Sequence, residues 1–279
     1  MPSLSPGLWV VATPLGNPGD LSPRAREVLA GVDMVLAEDT RRAGLLFQRL
    51  GLVARRFVSC HDHNEAERAP AIIEALQQGG TAALISDAGA PLLSDPGYLL
   101  VRACRQAGIT VSPVPGPSAV LAALMASGLP PYPHTFLGFL PRKSGDIARL
   151  LAEFGAVRST LIFFERKDRL RSSLETAFQV LGDREFCLAR ELTKTHEEFI
   201  LGCLSHWSAV SPDLRGEITV VVGPASEEFK TGEDRLHAAY EEERQRGGTP
   251  KDIARRVKER SSGWTVKEIY ERFGRQHRA

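Results

Sequence analysis

The stretch Ala83–Tyr98 reads ALISDAGAPLLSDPGY. An apolar run gives way to small residues, two Ser-Asp pairs (Ser86-Asp87 and Ser94-Asp95), two prolines and two glycines. A short apolar run closed by turn residues predicts a buried strand that ends in a loop. In open α/β sheets ligands bind beyond the carboxyl ends of the strands. A loop with so little side-chain bulk lets main chain come close to a ligand. The stretch therefore points to a buried sheet and to a binding loop at its edge.

The same punctuation recurs on either side. Strands are expected at Leu8–Ala12, Met34–Ala37, Arg56–Ser59, Ala82–Ile85 and Ile109–Val114. Between them, helices are expected from Ser22-Pro23, at Thr40–Leu50, Glu65–Gln78, Asp95–Gln106 and Ser118–Ser127. Strand–helix alternation of this kind predicts an α/β fold with a largely parallel sheet. Pro130, Pro131 and Pro133 then interrupt the pattern and mark a linker. A second α/β unit follows, with strands at Phe136–Phe139, Thr160–Phe164, Glu185–Leu192 and Ile218–Val222 and helices at Asp146–Phe154 and Asp168–Leu181. The expected organisation is an N-terminal α/β domain over 1–129, a second α/β domain over 130–225 and a helical basic tail over 226–279. In the tail, residues 244–279 hold eleven Lys/Arg against four Asp/Glu. Thr249 and Thr265 stand as N-caps, with Asp252 and Glu268 at capping-box spacing.

Bulk properties set the limits. The 279 residues carry a formal net charge of +1, with 43% hydrophobic and 25% charged residues, ordinary values for a globular protein of about two domains. Any nucleic-acid contact must therefore come from local basic patches rather than a global field. Cys60, Cys104, Cys187 and Cys203 are widely spaced and form no C-x-x-C, which predicts reduced thiols in a cytoplasmic protein and no metal site. No apolar run is long enough for a membrane span. The start lacks a basic n-region and reads as a first strand rather than a signal peptide.

Three loops qualify as site-forming: ATPLGNPGD (12–20), SDAGAPLLSDPG (86–97) and PVPGPSA (113–119). None matches the glycine fingerprints of dinucleotide or triphosphate sites. A pyrophosphate cradle needs several free N–H groups at a helix start, and Pro14, Pro18, Pro91, Pro96, Pro115 and Pro117 delete donors where it would stand. A phosphate-free nucleoside such as S-adenosylmethionine fits better, since carboxylates and carbonyls suit its sulfonium charge. The plainer account is turn chemistry: Asp95, ahead of Pro96, caps the next helix, which leaves Asp87 as the better ligand candidate.

These loops, with VLAEDTRR, GFLPRK, FFERKDRL, ARELTKTHEE and RGEITVVV in this order, resemble the tetrapyrrole (corrin/porphyrin) methylase superfamily over nearly the whole chain. Within it the resemblance is to the bacterial enzymes that 2′-O-methylate a cytidine ribose in the decoding region of 16S ribosomal RNA. It implies two α/β domains with S-adenosylmethionine in the cleft between them, a homodimer, and 16S rRNA or the small ribosomal subunit as partner. Carried over by position, the donor meets Pro14 and Leu15, then Asp87, Gly89 and Ala90, then Ser118 and Ala119, and Phe164 and Ile218 close over it. Tetrapyrrole enzymes carry a glycine-rich first loop and a GDP where this chain has ATPLGN and SDA, which points away from a porphyrin. At Phe164 the subfamily pattern has a tyrosine, so that hydroxyl is missing here.

Methyl transfer to a ribose hydroxyl needs in-line alignment and a sink for the hydroxyl proton. Glu191 and Lys194 in the dense polar cluster ARELTKTHEE, and Glu165, are the candidates; Lys194 would need a lowered pKa to act as a base. The alternative for Glu191 and Lys194 is a surface ion pair. RNA contacts are expected from Arg41 and Arg42, from Arg142 and Lys143, and from Arg166, Lys167 and Arg169, because guanidinium forks suit phosphate. His61, His63 and His196 are either phosphate ligands or loop caps. A same-fold methyltransferase acting on a tetrapyrrole or a protein side chain, a non-catalytic RNA-binding assembly factor, and a nucleotide-dependent enzyme are the competing readings.

Overall fold

The computed structural model describes residues 4–225, 231–261 and 263–274. The first sheet uses β1 (Gly7–Val11), β2 (Met34–Ala37), β3 (Phe57–Ser59), β4 (Thr81–Leu84) and β5 (Val111–Val114). They lie in the order β3-β2-β4-β1-β5, and every pairing is parallel. Parallel neighbours need crossovers, which α1 (Pro23–Gly31), α2 (Thr40–Leu50), α3 (Glu65–Gln77) and α4 (Tyr98–Gln106) supply. The apolar runs are buried on both faces, under α1 and α2 on one side and α3 and α4 on the other. Ser22 caps α1 through Ala25 N, with Pro23 at its first position.

Buried or half-buried carboxylates anchor one strand start and one helix start. Asp33 accepts from Thr81 N at 2.9 Å and from Thr81 Oγ1 at 2.7 Å, tying the start of β2 to the start of β4. The N–H of Leu100, three residues into α4, is satisfied at 2.6 Å by the buried Glu65 of α3. That carboxylate does the work expected of Asp95. The N-cap position of α4 is Gly97, at φ +119, and no side chain caps it locally. The helix accordingly starts three residues later than the sequence predicts.

Helix α5 (Ala119–Ala126) leaves the first sheet and packs on the second. Val120, Ala123 and Leu124 share a core with Ile162, Cys187, Ala189 and Val221. The second sheet comprises β6 (His134–Phe139), β7 (Thr160–Arg166), β8 (Glu185–Arg190), β9 (Glu198–Cys203) and β10 (Glu217–Val222), ordered β6-β7-β10-β8-β9. Only β6 and β7 pair in parallel; the other three pairings are antiparallel. The two helices of this unit, α6 (Ser144–Gly155) and α7 (Leu170–Leu181), precede β7 and β8, and no α-helix separates β8 from β9 or β9 from β10. Without helical crossovers those strands return antiparallel. The sequence reading missed β9, an edge strand whose residues are only partly buried.

Beyond residue 225 the expected domain boundary adjoins residues 226–230, which lie outside the described residues, as do 275–279 at the end of the tail. The tail has three α-helices among the described residues: α8 (Glu233–Gln245), α9 (Pro250–Glu259) and α10 (Val266–Ile269), the last running on into a π turn at Tyr270–Gly274. Two were expected. α8 was hidden by its charge, since its only buried residues are Leu236, Tyr240 and Glu243. Thr249 and Thr265 cap α9 and α10, and Glu268 completes a capping box. Tyr240, Ile253, Val257, Ile269 and Phe273 form the tail's own core. Glu243 is buried among Arg246, Arg256 and Arg260, at 2.9, 2.8 and 2.8 Å. Part of the tail's positive charge is therefore matched within the tail. No helix among the described residues is long and apolar enough to cross a membrane.

Candidate functional site

Because β4, β1 and β5 are neighbours, the three small-residue loops that follow them stand side by side. Thr13 and Gly89 exchange backbone hydrogen bonds of 2.9 and 3.0 Å, which lace the first loop to the second. Gly89 sits at φ +81, and a Cβ there would stand 2.9 Å from Leu15 Cδ2. In the third loop, a Cβ on Gly116 would meet Ala12 Cβ at 3.0 Å. Small residues are required where the loops cross.

Together with the second domain the loops enclose a cavity of about 990 Å³. Pro14 and Leu15 line it from the first loop, Asp87, Gly89 and Ala90 from the second, and Ser118 and Ala119 from the third. Phe164 on β7 and Ile218 on β10 face them from the second sheet. Phe164 is held by an edge contact with Phe136 and a tilted one with Phe139, at 5.0 and 5.3 Å between centroids. The nine residues expected around the donor thus border one space.

The catalytic candidates behave differently. Glu165 borders the cavity, but its buried carboxylate already accepts from Ser173 Oγ at 2.5 Å, Arg166 N at 2.8 Å and Arg169 at 3.2 Å. These bonds make it an organiser of the end of β7. Lys194 also borders the cavity, at 3.1 Å from Glu191 and 2.9 Å from Glu217. Burial alone would lower its pKa, but the two carboxylates outweigh burial and the pKa is raised. This is the reverse of what a lysine base requires. Glu191 stands behind Lys194; burial would raise its pKa, yet the bonds from Lys194 and from Glu217 N outweigh that and lower it. The ion-pair alternative describes these two residues.

The same loop closes the domain junction. Gly16 leaves room for the Lys194 stem, since a Cβ there would fall 2.3 Å from Lys194 Cγ. Asn17 N donates to Thr193 Oγ1 at 3.1 Å. Glu191 and Thr193 take positive φ, +49 and +63, unusual for non-glycine residues.

Of the expected RNA contacts, Arg42, Arg166 and Lys167 stand on the cavity wall, with Arg42 bonded to Asp87. Arg142 and Lys143 are exposed at the start of α6, outside the cavity lining. Arg41 is bound to Asp39 at 3.0 Å and lines a second hollow of about 480 Å³ with His61 and His63. Arg169 differs from the expectation: one of its guanidinium nitrogens turns inward, onto Glu165 and the carbonyls of Leu140 and Pro141. His196 is absent from both linings.

The sequence reading missed Asp95. It borders the cavity and is half buried. Burial first, and then the carboxylates of Glu38, Asp87 and Asp62, push its pKa up to about 6. The signal was in plain sight, as the second Ser-Asp pair of the opening stretch, but helix capping was the commoner use of that pattern. Leu92 and Ser94 before it sit at φ +75 and +70. Such conformations cluster at functional sites.

A two-domain α/β protein whose strand-end loops meet over a cleft large enough for a nucleoside is the class that fold and site define. Comparison with known proteins names the family. A profile described as Tetrapyrrole (Corrin/Porphyrin) Methylases matches residues 7–206, and the chain belongs to that family. The chain is 46% identical over 276 residues to the Ribosomal RNA small subunit methyltransferase I of Mesorhizobium japonicum, covering 92% of each chain. It is 48% identical over 220 residues to the protein of the same name in Escherichia coli O157:H7, covering 77% of each. Among solved structures, the fold is similar to a uroporphyrin-III C-methyl transferase from Thermus thermophilus complexed with S-adenyl homocysteine. There the TM-score is 0.57 at 17% identity, over 78% of this chain and 97% of that one.

Proposed function

We propose that the chain transfers the methyl group of S-adenosylmethionine to the 2′-hydroxyl of a cytidine ribose in the decoding region of 16S ribosomal RNA. The observation that carries this reading is the cleft itself, walled by backbone and small side chains from three adjacent loops. Pro14 and Pro18 stand where a phosphate cradle would need donors. Asp87 and Asp95 give the wall a sign that suits a cation. The donor supplies an electrophilic methyl on a sulfonium whose charge vanishes on transfer.

Phe164, Ile218 and Leu192 place an apolar patch on the second wall, which favours loss of charge at a reacting centre beside it. Gly89, Ala90 and Ala119 leave the main chain as the contact surface, which fixes the ligand with little side-chain entropy. Arg166 and Lys167, exposed beside the opening, offer contacts to phosphates flanking the target nucleotide. Arg142, Lys143 and the tail extend the basic surface. Recognition then rests on folded RNA shape and on the hydroxyl itself.

We further read the protein as a cytoplasmic homodimer. Its four cysteines are free thiols, and burial pushes Cys60, Cys104 and Cys187 up to about 11. Leu121 and Met125, one turn apart on α5, are exposed and available to a second copy. Sedimentation at twice the 30.5 kDa chain mass is the expected result.

The test has two arms. Calorimetry with S-adenosylmethionine, NAD and ATP is expected to register binding of the first alone. Labelled methyl is then expected in small-subunit RNA at one cytidine, as a ribose 2′-O-methyl resistant to alkali. Label on a porphyrin precursor or a protein instead, or RNA affinity without transfer, overturns the reading.

A further inference from the structure

Resting on that reading, we propose that Phe139 is the platform on which the base of the target nucleotide stacks once it is turned out of the RNA and into the cleft. Methyl transfer takes place between the domains, so the accepting ribose must enter there and bring its base along. The cavity of about 990 Å³ stands at the top of the ~300–1,000 Å³ range of ligand pockets, which leaves room beside the donor. Phe139 borders that cavity and keeps 55% of its surface exposed. Its contact with Phe164 is tilted rather than stacked. A large ring left uncovered on a cavity wall is apolar surface that folding has not used.

A backbone irregularity aims this ring. β6 pairs with β7 at Phe136↔Ile162, but the next pair is Phe139↔Phe164, so three residues on one strand answer two on the other. The extra residue falls where Gly138 takes φ +69. In a regular strand Phe136 and Phe139 would point to opposite faces. The bulge puts both on the face of Phe164, which touches each of them. Leu137 and Leu140 join the core on the other face. Without the bulge Phe139 would follow Leu137 into that core. The segment is also held from behind. Leu140 is buried, and the carbonyls of Leu140 and Pro141 accept from Arg169, which is bonded to the buried Glu165. Glu165 and Arg169 thereby fix the stretch that carries the ring.

The surroundings select a nucleic-acid base as the occupant. Leu45 and Leu93, also exposed, line the same cavity from the first domain and extend its apolar rim. Arg166 and Lys167 stand at the end of β7, and Arg142 and Lys143 follow Phe139 by three and four residues; all four are exposed. A flat apolar ring with a basic pair at or just beyond the end of each of its two strands matches a nucleotide. The base stacks on the aromatic face and the flanking phosphates take the cations. Phe164, half buried, faces the donor; Phe139, its more exposed neighbour, is left for the acceptor. Stacking tolerates any base, so Phe139 places the nucleotide and does not choose cytosine.

The test is methylation of small-subunit RNA at saturating donor and limiting RNA by the parent and by Phe139→Ala, Phe139→Leu and Phe139→Trp, with donor affinity measured by calorimetry. Phe139→Ala is expected to lower the second-order rate with RNA by roughly 10- to 100-fold, the size of one base–aromatic stack. Phe139→Trp is expected to come within about threefold of the parent. Phe139→Leu is expected to stay with the alanine variant, because leucine is apolar but offers no flat face. Donor affinity is expected to hold within about twofold in all three, and Tm within about 2 °C, since the ring is mostly exposed. A Phe139→Ala rate within about threefold of the parent overturns the assignment. Rescue by leucine equal to that by tryptophan overturns it too and makes the ring plain packing. A matching loss of donor affinity also overturns it and assigns Phe139 to the donor. A parent that binds donor but methylates no RNA overturns the functional reading instead, and the assignment with it.

Discussion

The two walls of the cavity are built on opposite principles. On the first-domain side the loops after β1, β4 and β5 present backbone and small side chains, with Asp87 paired to Arg42 and Asp95 in no ion pair among the described residues. On the second-domain side almost every charge is matched: Glu165 with Arg169, Glu191 and Glu217 with Lys194, Arg190 with Glu198. Both walls use left-handed non-glycine residues, Leu92 and Ser94 on one, Glu191 and Thr193 on the other. The first wall invests that strain in a free acid. The second invests it in a clamp that seats Lys194 over Gly16 and joins the domains. Density of polar residues in a sequence therefore does not tell paired charges from unpaired ones.

The largest expected effect breaks the matched wall. Glu165→Ala leaves Arg169 and Ser173 without their partner, and urea titration should show a loss of ~3 kcal/mol. A loss under ~1 kcal/mol would mean that the second wall does not depend on its pairing. Next comes the backbone of the first wall. Gly89→Ala forces a Cβ onto Leu15 at a positive φ, at a cost of ~1–2 kcal/mol. Calorimetry should record about a tenfold weaker donor affinity, with little change in RNA binding.

Smaller effects sharpen the contrast. Arg166→Ala with Lys167→Ala should weaken RNA binding and make its logarithmic salt dependence shallower by about 2, with donor affinity unchanged. Unchanged salt dependence would remove this pair from the RNA interface. Lys194→Met should slow single-turnover methylation less than tenfold, since a lysine held charged by two acids is no base. The smallest effect is Glu191→Gln, worth under ~1 kcal/mol at a half-exposed pair. Its sign follows from the directions of the shifts. A lowered carboxylate stabilises the fold above its unfolded pKa and loses that contribution as pH falls through the folded one. A raised lysine contributes below its unfolded pKa and loses it only as pH climbs through the folded one. The stability gap between Glu191→Gln and the parent should hold from pH 6 to 9 and close below about pH 4.

Much of the fold was legible because the first sheet is buried on both faces. Met34–Ala37 and Thr40–Leu50 were read to the residue, since an apolar strand and an amphipathic helix with a cap leave little ambiguity. Segments dominated by charge or half exposed, β9 and α8, gave no such contrast. The donor-side wall was legible through its prolines and glycines, because those residues report backbone constraints. Arg169 and Asp95 were misread for one reason: each does a job that depends on a partner far away in sequence. Arg169 turns inward because Leu140 and Pro141 expose carbonyls to it, and Asp95 is released because Glu65, 35 residues from Leu100, caps the helix instead.

Composition and periodicity by themselves determined an α/β chain with phosphate-averse loops and a helical tail, because burial and backbone permissiveness are written residue by residue. Only the tertiary structure decided that three loops spread over more than a hundred residues share one cavity, since strand order is set by crossover topology. It also decided which acids are neutralised and which stands alone, because electrostatic pairing depends on distance through space rather than along the chain.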